Sequence, residues 1–163
     1  MKTIKVLTVC LGNICRSPAA QGILQAAAMQ HKGLDLQVDS AGTAAYHIGK
    51  SPDPRSIRAL SDVGVNISAQ QARQVKVEDF DYFDWIVAMD ADNLANLKAI
   101  QPANSHAKLV MFGAYHTSVA LGEVQDPYYG EYDGFVVMRE HLQRISERFV
   151  AHLMSVDQES SCL

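Results

Sequence analysis

The chain is poor in cysteine, in long apolar runs and in clustered positive charge. Its 163 residues include three cysteines, Cys10, Cys15 and Cys162. So few, and an odd number, rule out the disulfide framework that staples small secreted domains. No stretch nears the ~20 apolar residues of a membrane-spanning helix. The opening apolar run is broken by Lys5 and no small-residue cleavage site follows, so it does not read as a signal peptide. Lysine and arginine total 14 against 18 acidic residues, with no basic run. That excludes the electrostatic footprint of a nucleic-acid or anionic-membrane binder. The six histidines show no ligand spacing, and Cys10 and Cys15 have no second Cys or His pair to complete a zinc site. No metal and no cofactor is expected, and the cytoplasm is the expected compartment.

What is present is ordinary globular composition, 48% apolar and 20% charged, at a length that suits one domain. Residues 1–157 are expected to form that domain and 158–163 a flexible tail. Lys2–Val9 is β-branched and apolar and reads as a strand. Ser17-Pro18 reads as a helix N-cap followed by proline, with an apolar stripe through Ile23, Leu24, Ala27 and Ala28 up to Gly33. Leu36–Ser40 is a second strand and Ala41–Pro52 an exposed loop. Asp53-Pro54 repeats the cap-and-proline signature for a helix that ends at Gly64. A short helix is expected over Ser68–Val75, a strand over Trp85–Met89, a helix capped by Asp90 and a strand over Ala107–Phe112. A long loop then leads to a last helix with Phe135, Met138, Leu142, Ile145, Phe149 and Leu153 on one face. Alternating strands and helices imply a parallel sheet covered on both faces. Ligands of such sheets bind at the carboxyl ends of the strands.

The segment Cys10-Leu11-Gly12-Asn13-Ile14-Cys15-Arg16-Ser17 lies at that place. A short loop before a helix can turn several backbone N–H groups into one concavity. With the positive end of the helix, that nest binds an anion. Arg16 can grip two phosphate oxygens at once, which a lysine cannot do. Cys10 stands in the same positive field, which favours thiolate over thiol. A thiolate beneath a bound phosphate is poised to attack phosphorus. Ser17 can hydrogen-bond that sulfur, and Gly12 lets the backbone come close to a ligand. A nucleotide P-loop is excluded, since no Gly-Lys-Ser/Thr follows.

The chain resembles the low-molecular-weight protein tyrosine phosphatases. Cys10–Pro18 matches their catalytic loop and Asp126-Pro127-Tyr128-Tyr129-Gly130 a second specific segment. Ser40-Ala41-Gly42-Thr43, Ser51-Pro52-Asp53-Pro54-Arg55, Ala72-Arg73-Gln74 and Met89-Asp90 support the match. The resemblance implies a flavodoxin-like three-layer sandwich with a four-stranded parallel sheet. It implies metal-independent phosphate monoester hydrolysis with Cys10 as nucleophile, Arg16 as phosphate ligand and Asp126 as general acid, then base. Leu11, Gly12, Asn13, Ile14, Cys15, Arg16 and Ser17 would hold the phosphate. Asn13, Ser17, Ser40 and Asp90 would support the loop. Leu11, Tyr46, His47, Tyr128 and Tyr129 would line the rim, and Cys15 would be a redox partner of Cys10. The family often has a histidine where this chain has Gln70, which puts one loop support in question.

The partners implied are tyrosine-phosphorylated proteins, with inorganic phosphate as product and inhibitor, and the protein itself as a monomer or weak homodimer. Three other readings compete. Thioredoxin-coupled arsenate reductases share the loop but use two further cysteines, and none lies between Cys15 and Cys162. Phosphoarginine hydrolases carry threonine where this chain has Ile14. A binding module that kept the nest but lost turnover would not need both Cys10 and Asp126.

Overall fold

The computed structural model describes residues 3–115 and 122–161, with side chains to Val156. Its elements run β1 (Thr3–Cys10), α1 (Arg16–Met29), β2 (Asp35–Gly42), α2 (Pro54–Ser61), α3 (Asp79–Tyr82), β3 (Trp85–Ala88), α4 (Ala91–Ile100), β4 (Lys108–Met111), a 3-10 turn (Phe112–Tyr115) and α5 (Tyr132–Ser161). The four strands form one parallel sheet in the order β2-β1-β3-β4. The chain leaves β1 on one side for β2 and returns on the other for β3. The carboxyl end of β1 is therefore the switch point where such sheets bind ligands.

Side-chain alternation along the strands divides the core. Val6, Trp85 and Val87 point to the layer of α1 and α5, with Leu24, Phe135, Leu142, Ile145 and Phe149. Leu7, Val9, Ile86 and Ala88 point to the opposite layer, with Phe80, Phe83 and Leu97. Helices thus cover both faces, and the fold is the flavodoxin-like three-layer arrangement. Thr8, polar yet fully buried on β1, gives its hydroxyl proton to the Ser17 carbonyl at 2.8 Å. That bond ties the strand to the first turn of α1. Among the described residues no helix is long and apolar enough to cross a membrane.

The strands lie where the sequence puts them, within two residues at each end. Lys2 of the expected first strand lies outside the described residues, as do 116–121 of the long loop. The helix α5 continues to Ser161, into the segment expected as a tail, and Cys162 and Leu163 lie outside the described residues.

Ser68–Val75 is not a helix. It makes a turn and then runs extended, bridging Gln74 to Gly42. Its backbone is committed elsewhere: Gly42 N–H donates to the Arg73 carbonyl at 2.8 Å, Val75 N–H to the Gly42 carbonyl at 2.8 Å, and Ala72 N–H to the Lys50 carbonyl at 2.9 Å. These bonds to distant chain outweigh any local helical preference. A single turn of helix, α3, forms just beyond it instead. The expected Ser17 cap is also different. The helix starts two residues earlier, Cys15 is at the cap position, and no side chain caps it. Pro18 still falls in the first turn, where its missing N–H costs nothing.

Phe149 is fully buried against the edges of Trp85, Phe112 and Tyr115, with ring centroids 5.5, 5.6 and 5.0 Å away. Truncation opens a cavity at the centre of the α5 layer. Phe149→Ala should cost about 3–5 kcal/mol of stability in a denaturant titration; a loss under about 1 kcal/mol would mean that this cluster does not anchor α5.

Candidate active site

Five residues, 11–15, connect the end of β1 to the start of α1. The loop turns so tightly that Asn13 adopts φ +57°, in the left-handed region. Asparagine tolerates that region better than other residues with a side chain. Its buried amide then holds the loop from inside. Nδ2 donates to Ser17 Oγ at 2.8 Å and to Ser40 Oγ at 2.9 Å, and Oδ1 accepts from Arg73 N–H at 2.9 Å. Gln70 takes no part in these bonds; its amide donates to the Pro18 carbonyl at 3.2 Å. The Arg73 backbone does the work that the question over Gln70 left open. Gly42 is needed beside the loop, because a Cβ there would lie 2.7 Å from the Leu11 carbonyl oxygen.

Cys10 is buried at the floor of the loop. Its Sγ lies 3.0 Å from Ser17 Oγ and accepts from Asn13 N–H at 3.3 Å. Ser17, freed from capping, thus faces the sulfur. Arg16 is 3% exposed. Its Nη1 donates to Asp90 Oδ2 at 2.6 Å and to the Val124 carbonyl at 3.2 Å, while Nη2 stands 3.6 Å from Asp126 Oδ2. Burial works against the guanidinium charge, but Cys10, Asp90 and Asp126 outweigh it and raise its affinity for the proton. Asp90 has two partners, since Oδ1 caps α4 by accepting from Asn93 N–H at 2.7 Å.

Cys15 is buried too. Burial foremost, then the negative charges of Asp53 and Cys10, push its thiol far up, so it keeps its proton. The sulfur that Ser17 and Asn13 contact is that of Cys10.

A cleft of about 110 Å³ opens above the loop. It is lined by Cys10, Leu11, Gly12, Ile14, Cys15 and Arg16 below, and by Tyr46, His47, Asp126, Tyr128 and Tyr129 around the mouth. Asn13, Ser17, Ser40 and Asp90 stand behind that surface. Residues from β1, α1 and three separate loops meet here. Tyr129 is 95% exposed and Tyr46 73%, while Tyr128 packs edge-on against Tyr129 with centroids 4.9 Å apart. Gly12 makes room for His47, whose Cδ2 would be 2.9 Å from a Cβ at that position. Asp126 carries 40% of its side chain exposed, and its Oδ1 accepts from Tyr128 N–H at 3.1 Å. Among the described residues no group of three or more His, Cys, Asp or Glu side chains could hold a metal ion.

Sequence reasoning missed what braces this arrangement. Asp53 caps α2 as expected, accepting from Arg55 N–H at 2.8 Å. Its own N–H also donates to the Ile14 carbonyl at 2.7 Å, and Ser56 Oγ donates to the Cys15 carbonyl at 3.1 Å. The start of α2 is thereby bonded to the loop. The cap signature was visible in the sequence; the partners 39 and more residues away were not.

Two outcomes follow from these contacts. Asn13→Ala removes the amide and places a residue with a Cβ at positive φ, so it should lower stability by ~1–3 kcal/mol and weaken inorganic phosphate binding, measured by calorimetry. Unchanged phosphate affinity would show that the loop holds its shape without the amide. Asp53 is the second case. Burial opposes its charge, but the bonds from Arg55 prevail and hold the carboxyl below the ordinary carboxylate range. A depressed carboxyl stabilises the fold above the ordinary value of about 4 and ceases to as pH falls through its lower folded value. The Tm deficit of Asp53→Asn should thus be full at neutral pH and close on acidification below about 4; a deficit independent of pH would contradict the charge assignment.

Comparison with known proteins identifies a family. The family model described as low molecular weight phosphotyrosine protein phosphatase matches residues 5–160. The low molecular weight phosphotyrosine protein phosphatase of Schizosaccharomyces pombe is 41% identical over 152 residues, covering 91% of this chain and 96% of that one. Its counterpart in Sus scrofa is 38% identical over 151 residues, covering 91% and 94%. Among solved structures, a protein tyrosine phosphatase from Entamoeba histolytica superposes with a TM-score of 0.87 at 35% identity, covering 94% of this chain and 99% of that one. A Drosophila arginine phosphatase superposes at 0.85 with 32% identity, covering 92% and 98%. On the family match and these identities, the chain belongs to the low molecular weight phosphotyrosine protein phosphatases.

Proposed function

We propose that the protein hydrolyses phosphotyrosine in proteins, without a metal, through a phosphocysteine on Cys10. The observation that carries this reading is the meeting of Cys10, Arg16 and Asp126 in one cleft, with a hydroxyl 3.0 Å from the sulfur. The Cys10 thiolate attacks phosphorus and the bond from phosphorus to the aryl oxygen breaks. Asp126 gives its proton to the departing oxygen. A water molecule, losing a proton to Asp126, then attacks the phosphocysteine, the S–P bond breaks, and phosphate leaves. The Ser17 hydroxyl and Asn13 N–H stabilise the sulfur as it departs. Arg16, oriented by Asp90, holds two phosphate oxygens as charge moves onto them.

The aromatic mouth favours a flat aryl phosphate. A phosphoserine is too short to carry its phosphorus past Tyr46, His47, Tyr128 and Tyr129 to the sulfur. Ile14 on the cleft wall supports the aryl reading over phosphoarginine, the substrate class in the name of the Drosophila neighbour. Inorganic phosphate, as product, competes for the same nest. Cys15, a protonated thiol in the same loop, is suited to close a reversible disulfide on oxidised Cys10. The reading takes the protein as one domain over 1–157, cytoplasmic, and a monomer or weak homodimer.

Hydrolysis of p-nitrophenyl phosphate should proceed in the presence of a chelator. Cys10→Ser should abolish it while phosphate binding persists. Asp126→Ala should slow turnover on phenyl phosphate by about 10²–10⁴-fold, and less on p-nitrophenyl phosphate, whose leaving group needs less protonation. Turnover that survives Cys10→Ser would reject the nucleophile, and a phosphoarginine peptide preferred over a phosphotyrosine peptide would reject the substrate class.

A further inference from the structure

The reaction scheme leaves Arg55 unused, yet its contacts run in two directions. Toward its own helix, Nε donates to Asp53 Oδ1 at 3.0 Å and Nη2 to Asp53 Oδ2 at 2.9 Å, a fork-to-fork pair. Away from it, Nη2 donates to the Tyr128 carbonyl at 2.9 Å and Nη1 to the Gly130 carbonyl at 3.1 Å. The guanidinium also lies over the Phe135 ring, 4.4 Å from its centroid. The pair with Asp53, whose side chain is buried, ties the guanidinium to the start of its own helix. The two carbonyls are another matter, because they belong to the turn that carries Asp126. That turn closes through Gly130 N–H to the Pro127 carbonyl at 2.9 Å.

Tyr128 is the link. Its carbonyl accepts from Arg55, and its N–H donates to Asp126 Oδ1 at 3.1 Å. At the other end, Asp53 N–H is bonded to the Ile14 carbonyl in the phosphate loop. Hydrogen bonds therefore run from the nucleophile loop through Asp53, Arg55 and Tyr128 to the carboxylate of Asp126. We propose that Arg55 is a positioning residue for the general acid, fixing the 126–130 turn to the phosphate loop so that Asp126 meets the leaving oxygen. The proposal rests on the role given to Asp126 above. A lysine could not replace the arginine fully, since one ammonium cannot span the Asp53 carboxylate and both carbonyls.

The test is kcat/KM across aryl phosphates from p-nitrophenyl to phenyl, for the unaltered protein, Asp126→Asn, Arg55→Gln, Arg55→Lys and the Arg55→Gln/Asp126→Asn double variant. The inhibition constant for inorganic phosphate is measured alongside. Arg55→Gln should lose about 10–100-fold on phenyl phosphate, the cost of a misplaced catalytic group, and far less on p-nitrophenyl phosphate. Arg55→Lys should fall between. The double variant should be no slower on phenyl phosphate than Asp126→Asn, and phosphate inhibition should not change. Equal losses on all leaving groups, additive losses in the double variant, or weaker phosphate inhibition would overturn the proposal and leave Arg55 a structural residue. Should Arg55→Gln fail to fold, a uniform loss in Arg55→Lys overturns it equally. If Asp126→Asn itself shows no dependence on the leaving group, the acid assignment falls and the proposal with it; if only the Arg55 variants lack it, the positioning role alone is rejected.

Discussion

The amide of Asn13 is the constraint on which the site depends. It sits at a positive φ inside a five-residue loop and is satisfied by Ser17, Ser40 and the Arg73 backbone. A buried polar network of this kind is rigid when complete and costly when broken. It sets the path of the loop between β1 and α1 and leaves Ser17 facing the sulfur rather than capping the helix. The sheet supplies the place, because β1 lies between β2 and β3 and its carboxyl end is open to both crossovers.

Charge in the cleft is balanced by contacts of unequal strength. Arg16 is locked to Asp90 at 2.6 Å, whereas Asp126 stands 3.6 Å away, beyond hydrogen-bond distance. The first carboxylate orients the guanidinium, and the second stands outside that pair at the mouth of the cleft. Asp126 is half in solvent and owes its placement to the turn around it. The contacts of α2, with Asp53 on the 11–15 loop and Arg55 on the 126–130 turn, join the floor of the cleft to its mouth.

Much of this was legible in the sequence because it is written locally. A β-branched run, a loop of fixed length, a proline near a helix start and a five-residue acid turn are all short-range features. They gave the parallel sheet and the residues that line the cleft. Ser68–Val75 was misread because its structure comes from backbone bonds to residues 42, 49 and 50, which no local pattern encodes. Ser17 was misread as a cap because capping and sulfur contact need the same hydroxyl at the same place in the chain. Nothing local names a partner for Arg55, since its targets at 128 and 130 come 73 and 75 residues later.

The proposed reaction requires covalent transfer of phosphorus to one sulfur. Rapid-quench mass spectrometry during turnover of an aryl phosphate tests it most directly. A phosphate adduct should appear on the peptide carrying Cys10 within the first turnover and decay as inorganic phosphate is released. A fully active preparation in which no adduct forms on that side chain would contradict it.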